Sequence, residues 1–166
     1  GKRLKLPKGF ELDLGGLVKE YAADCAKKCL QQAGVQSALI DLGGDVVAFG
    51  GDWPIGIKDP SNPASAKVHI TLQNGALATS GNYERTLLIN GKRYSHILNP
   101  KTGWPIESAA SITVMADNCL IAGTVSTIAM LAGNRRAFDV LEEFGLPYFC
   151  VLNDDRVVDR LAESGI

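Results

Sequence analysis

The sequence predicts an α+β fold: a mainly antiparallel sheet of hairpin-linked strands, packed by about three helices. Three observations point there. Short runs rich in Val, Ile, Leu and aromatic residues follow one another through turn residues, over 37–60 and again over 86–98, with no helix between them. Such strands meet as hairpins and not as βαβ crossovers. Asn90-Gly91 stands between two alternating runs, and this is the strongest local hairpin signal because both residues tolerate the positive φ of a type I′ turn. Three other segments carry their apolar residues at helical spacing instead.

Taken in order, the first of these runs from Leu14 through Leu17, Val18, Tyr21, Ala22, Cys25, Cys29 and Leu30, with a turn at Gly15-Gly16 before it and Gly34 placed to cap it. SALIDLGGDVVAFGG and WPIGIKDP then read as two strands of a hairpin, with Gly43-Gly44 as a bulge or a close backbone approach inside the first. KVHITLQ alternates, GALATSG is a short strand entering a polar loop, and TLLIN and GKRYSHIL pair across Asn90-Gly91. NPKTGWP must be loop, because two prolines and a glycine break any ladder. The strand SITVMA leads to a helix from Asn118 to Leu131 that Gly133 closes. Asn134 is placed to cap a last helix with Ala137, Val140, Leu141 and Phe144 on one face, ending at Gly145. YFCVLNDDRVVDR closes the chain as a hairpin turning at Asn153 to Asp155.

With 166 residues, 46% apolar and 21% charged, the chain is expected to form one domain over 1–166 around one core. Seventeen Lys and Arg against eighteen Asp and Glu create no net field for nucleic acid or an anionic membrane surface. An anionic ligand must therefore be held by local groups. No run reaches the roughly 18 apolar residues of a membrane span, and GKRLKLPKGFELDLGG lacks the apolar core of a signal peptide. The four cysteines form no CxxC pair and no zinc spacing. Cys25 and Cys29, four apart on the first helix, are expected to be small buried apolar residues.

Four segments carry the chemistry. In ELDLGGLVKEYAAD a strand end passes through Gly15-Gly16 into a helix whose first turns hold Lys19 and Glu20. Free N–H groups of a helix start and a nearby ammonium suit phosphate oxygens, and Asp13 suits a ligand hydroxyl or amide. The same residues also suit a plain strand-to-helix turn with a solvated Lys-Glu pair. Neither GxGxxG nor a P-loop is present. In RYSHILNPKTGWP, His96 lies where a strand runs into a Pro/Gly-rich loop, and a neutral imidazole there can accept a proton from a hydroxyl. A hydrogen-bonded structural histidine is the other reading. ATSGNYER offers Ser80, Asn82 and Arg85 around a glycine, suited to phosphate or a heterocycle and equally to a polar turn. AGTVSTIAML, 122–131, sets Thr124, Ser126 and Thr127 among small apolar residues and holds no charge.

Taken together and in this order, ELDLGGLVKEYAAD, ALIDLGGDVVAFG, ALATSGNYER, YSHILNPKTGWPI and the Ser126-Thr127 helix resemble the ApbE family of FAD:protein FMN transferases, over about residues 10–132. The resemblance implies a Mg²⁺-dependent flavinylation. FAD is split at its pyrophosphate, FMN is joined through phosphate to a threonine hydroxyl of a target protein, and AMP leaves. It assigns Asp13, Lys19, Ser80, Arg85 and Ile97 to the flavin nucleotide, His96 to activation of the threonine, and the Gly16 carbonyl and Thr127 to the metal. It also implies a periplasmic place, or anchorage on the outer side of the cytoplasmic membrane.

Two departures stand out. The family's metal-binding helix usually reads A-D-A-x-[ST]-T, with the Asp and the last Thr one turn apart on one face. Here Thr127 is kept and Gly123 stands where the Asp would be. A hard cation is normally held by at least one carboxylate, so Gly123→Asp is expected to raise Mg²⁺ affinity. Asp117 and Asp45 are the nearby carboxylates in sequence, and spacing assigns neither. Second, family members usually carry a further N-terminal stretch that supplies part of the flavin pocket. Two alternatives to transfer follow: a flavin-binding module without the metal-dependent step, and hydrolysis of FAD to FMN and AMP.

Overall fold

The structure is a computed structural model that describes residues 2–83 and 86–161. Helix α1, Val18–Gln32, follows the Gly15-Gly16 turn. Strands β1, Ala38–Asp41, and β2, Val46–Phe49, pair antiparallel. Then come β3, Trp53–Asp59, β4, Asn62–Leu72, β5, Gly75–Gly81, β6, Thr86–Ile89, β7, Lys92–Ser95, and β8, Ser111–Ala116. Helices α2, Cys119–Ala132, and α3, Ala137–Phe144, precede β9, Tyr148–Val151, and β10, Val157–Asp159. Six strands form one antiparallel sheet in the order β1-β2-β5-β8-β9-β10, and β3-β4 and β6-β7 are separate hairpins. The chain is α+β, as its hairpin signals predict.

The period-two alternation of the strands sorts their side chains into two cores. Val47, Ala76, Ile112, Val114, Tyr148 and Cys150 face the helices and meet Val125, Ala129 and Met130 of α2 and Leu141 of α3. Val46, Leu77, Met115 and Phe149 face the other way, onto Ile55 and Ile57 of β3 and Leu72 of β4. The molecule is thus layered as helices, sheet and a covering β3-β4 hairpin. Asn90 (φ 50°) and Gly91 (φ 77°) make the predicted turn between β6 and β7.

Four expectations are corrected. Gly43-Gly44 is a hairpin turn and not a bulge. Both residues take positive φ, 73° and 94°, and the Gly44 N–H donates to Asp41 Oδ1 at 2.7 Å, so the chain reverses within residues 41–46. Consequently WPIGIKDP pairs not with VVAF but with the long β4, in a sheet of its own. Asn134 does not cap α3. Its N–H donates to the Glu107 carbonyl, and the Gly133 carbonyl collects the N–H groups of Arg136 and Ala137, which starts the helix later, with Arg136 in the cap position. Finally, Cys29 is exposed and Cys25 half-buried, because α1 buries only Glu20 and Ala23; the buried thiols are Cys119 and Cys150. Among the described residues no helix is long and apolar enough to cross a membrane.

Candidate functional site

The start of α1, the β1–β2 turn, strand β3, the end of β5, the segment after β7 and the middle of α2 surround a cleft of about 1080 Å³. Asp13, Gly16, Lys19, Ser80, His96, Ile97 and Thr127 all line it. Arg85 lies outside the described residues. A smaller hollow of about 500 Å³ near Ser61, Tyr94 and Asn153 contains none of these residues. Segments far apart in sequence therefore converge on one place.

Each is held there by local bonding. Asp13 Oδ1 accepts the Gly15 N–H at 2.7 Å, and the Leu14 carbonyl accepts from both Leu17 and Val18 at 3.0 Å, which presents the helix start to the cleft. The Lys19 ammonium donates to Asp45 Oδ2; the lysine is half exposed, while only 6% of the Asp45 side chain is. Burial alone pulls the Lys19 pKa down. The hydrogen bond and charge of Asp45, with a further push from Glu20, outweigh it, so the net shift is upward from 10.5. The lysine stays cationic at neutral pH. His96 is exposed at the cleft edge, and its position is set by the chain on both sides. Ile97 N–H donates to Ser95 Oγ at 3.0 Å, the Ile97 carbonyl accepts from Ile106, and Asn99 closes the NPKTGWP loop with bonds to Trp104 and Gly103.

On the opposite wall, Ser80 Oγ lies 2.8 Å from Ser126 Oγ and 3.2 Å from Thr127 Oγ1, and Ser126 Oγ donates to the Gly123 carbonyl at 3.0 Å. This hydroxyl cluster fastens β5 to α2. Asp24 fastens α1 to α2, since its two carboxylate oxygens accept the N–H groups of Cys119 and Leu120 at 2.8 and 3.0 Å. Those are two of the donors that a helix start leaves without partners, and a carboxylate there also suits the helix dipole. The contact sets a register. Asp24 meets the start of α2; one turn back on α1, Glu20 meets Gly123, one turn on along α2; the next steps are Gly16 and Thr127, both on the cleft.

Glu20 is the residue that the sequence reading missed. Taken as half of a solvated Lys-Glu pair, it is instead only 6% exposed, and its Oε2 has no hydrogen-bond partner. A Cβ at position 123 would lie 2.7 Å from Glu20 Cγ and 2.9 Å from Oε1. The glycine is what leaves room for this carboxylate. A side chain at position 123 would meet the far end of the Glu20 side chain, so an aspartate placed there and Glu20 compete for one part of the cleft wall. Of the two sequence candidates for a lent oxygen, Asp117 is exposed and absent from the cleft wall, and Asp45 is engaged by Lys19. The signal available in sequence was the Glu20–Asp24 spacing of four, which puts both carboxylates on one helix face. Residues 54–58 of β3 also line the cleft, a role no motif announced.

The donor chemistry suits a hard cation. A carboxylate, hydroxyls and backbone carbonyls are oxygen ligands, and Mg²⁺ characteristically takes one or two carboxylates and keeps waters or substrate phosphates for the rest. Among the described residues no three or more of His, Cys, Asp and Glu are grouped so as to hold an ion.

Comparison with known proteins agrees with the motif order. The profile of the ApbE family matches residues 2–150. An FAD:protein FMN transferase of Klebsiella pneumoniae is 37% identical over 137 residues, covering 81% of this chain and 43% of that protein. Another, of Haemophilus influenzae, is 32% identical over 152 residues, covering 87% and 44%. The crystal structure of the ApbE protein of Thermotoga maritima superposes with a TM-score of 0.84 at 32% identity, over 94% of this chain and 53% of that one. The apo flavinyl transferase ApbE of Pseudomonas stutzeri gives 0.78 at 29% identity, again over 94% and 53%. The chain spans about half the length of the relatives it matches.

Proposed function

Because the chain belongs to the ApbE family, we propose that it takes part in transfer of FMN from FAD to a threonine hydroxyl of a target protein, with release of AMP. The observation that supports this best is the convergence of Asp13, Lys19, Ser80, His96, Ile97 and Thr127 on one cleft. Its volume, about 1080 Å³, exceeds the usual range of small-ligand pockets, roughly 300–1,000 Å³, and suits a dinucleotide.

In this reading FAD is the substrate. The helix start and the cationic Lys19, kept charged by Asp45, bind the pyrophosphate. Asp13 and Ser80 hold the nucleotide through hydroxyl and amide contacts, Ile97 packs on the flavin, and Arg85 belongs to the same set. His96, exposed at the cleft edge, meets the incoming threonine and accepts its hydroxyl proton. The threonine oxygen bonds to the FMN-side phosphorus, and the bond to the AMP phosphate breaks with its electron pair leaving on AMP. The Thr127 hydroxyl and the Gly16 carbonyl are the oxygen donors that would hold Mg²⁺, which when bound neutralises charge on the pyrophosphate. A periplasmic place, or one on the outer side of the cytoplasmic membrane, belongs to the same proposal.

The test is incubation of the protein with FAD, Mg²⁺ and a target carrying an acceptor threonine, followed by AMP release and target mass. A mass gain matching FMN, lost in His96→Ala with FAD binding retained, is the expected result. FMN and AMP without a mass gain would make the protein a hydrolase of FAD. Intact bound FAD would make it a flavin-binding module.

A further inference from the structure

Glu20 carries an inference of its own, which rests on the metal-dependent reading above. We propose that in this chain the carboxylate ligand of the divalent cation comes from helix α1, as Glu20, and not from α2. The exchange is between two positions in contact. An aspartate at position 123 would place a carboxylate into the cleft from α2, one turn before Thr127. Here α2 has a glycine at that position, and the space a Cβ would take is filled by Glu20 Cγ and Oε1, at 2.7 and 2.9 Å from it. The carboxylate is thus delivered to the same side of the cleft from the facing helix.

Its surroundings leave one of its two carboxylate oxygens without a donor. Glu20 is 6% exposed and its Oε2 has no donor, whereas the other buried carboxylate on the cleft, Asp45, has the Lys19 ammonium. A buried, unpaired charge is strongly disfavoured unless a cation or donors compensate it. Glu20 shares the cleft wall with oxygen donors that a hard cation takes: the Thr127 hydroxyl, which is bonded to Ser80, and the backbone around Gly16. The Asp24 clip on Cys119 and Leu120 fixes the two helices so that Glu20 stays opposite Gly123.

The experiment titrates Mn²⁺, as a paramagnetic stand-in for Mg²⁺, by electron paramagnetic resonance on the protein with and without FAD, beside thermal midpoints. Glu20→Gln is expected to lower Mn²⁺ affinity by about tenfold or more, the range seen when groups supporting a metal are removed, without lowering the thermal midpoint, since a charge without a donor is removed. Gly123→Asp alone is expected to lower the midpoint and bring no gain in affinity, because the two side chains crowd one space. The exchange variant, Glu20→Gly with Gly123→Asp, is expected to recover both. Mn²⁺ affinity unchanged in Glu20→Gln, or no Mn²⁺ binding by the unaltered protein, overturns the assignment. The outcome is separable from transfer itself. Mn²⁺ affinity that depends on Glu20 without AMP release keeps the ligand and removes the transfer reading, and AMP release with Mn²⁺ affinity indifferent to Glu20 does the reverse.

Discussion

Cys119 and Cys150 lie in the core between the sheet and the helices, and burial pushes their thiols up, to about 12 and about 11 respectively, with the charges of Asp45, Asp24 and Glu20 adding to the shift at Cys119. A thiol must ionise to react. Cys25 and Cys29 are half-buried and exposed. A thiol-disulfide reagent at neutral pH is therefore expected to modify these two in the native protein and the other two only after unfolding. Four thiols reacting at one rate would contradict the burial. The same contrast explains why individual residues were hard to read in the sequence. Cys25 and Cys29 have the spacing of a buried face, yet exposure is decided by how much of α1 the sheet covers, and that is little. Glu20 shows the opposite case: a charged residue next to Lys19 reads as solvated, and only the approach of α2 through Gly123 makes it buried. The Lys19–Asp45 pair joins residues 26 apart, beyond any local spacing rule.

Elements whose signals are local were legible. Asn90-Gly91 needed only its own backbone preferences, and the ends of α2 at Asn118 and Gly133 needed only a capping side chain and a glycine. Gly43-Gly44 was ambiguous because positive φ serves a bulge as well as a turn; the Asp41 side-chain bond to Gly44 is part of what makes it a turn. The pairing of α1 with α2 had no local signal, since Asp24 caps a helix 95 residues away. Asp24→Ala is expected to destabilise the protein by about 0.5–2 kcal/mol, the usual cost of removing a helix-capping side chain. Asp24→Asn, which keeps an acceptor, should lose less. Urea midpoints at constant slope measure this. A loss no larger than that of an exposed carboxylate such as Asp117 would show that the clip contributes nothing.

At the scale of the whole molecule, hairpin signals and helical spacing made the α+β class readable before any contact was known, although the central strands β2, β8 and β9 are buried on both faces and carry no alternation to say which side meets the helices. The layer order was not readable, because nothing in WPIGIKDP says that it leaves the sheet to cover its second face with β4. The layers are tied together at Tyr148. On β9 it pairs with Val114 of β8, its hydroxyl donates to Glu142 Oε1 of α3 at 2.7 Å, and its ring lies 6.4 Å from that of Phe138. Burial first, then the bond to Glu142, push its pKa up from 10.0 to about 12, against a smaller opposing effect of Arg160. The native state thus holds this proton more tightly than the unfolded chain does. The resulting stabilisation is complete below the ordinary tyrosine value near 10 and disappears as pH rises through about 12. Urea midpoints should fall across that window in the unaltered protein and fall less steeply in Tyr148→Phe, which keeps the ring but has no proton to lose. An equal slope in both would place the alkaline sensitivity elsewhere and leave Tyr148 a packing residue alone.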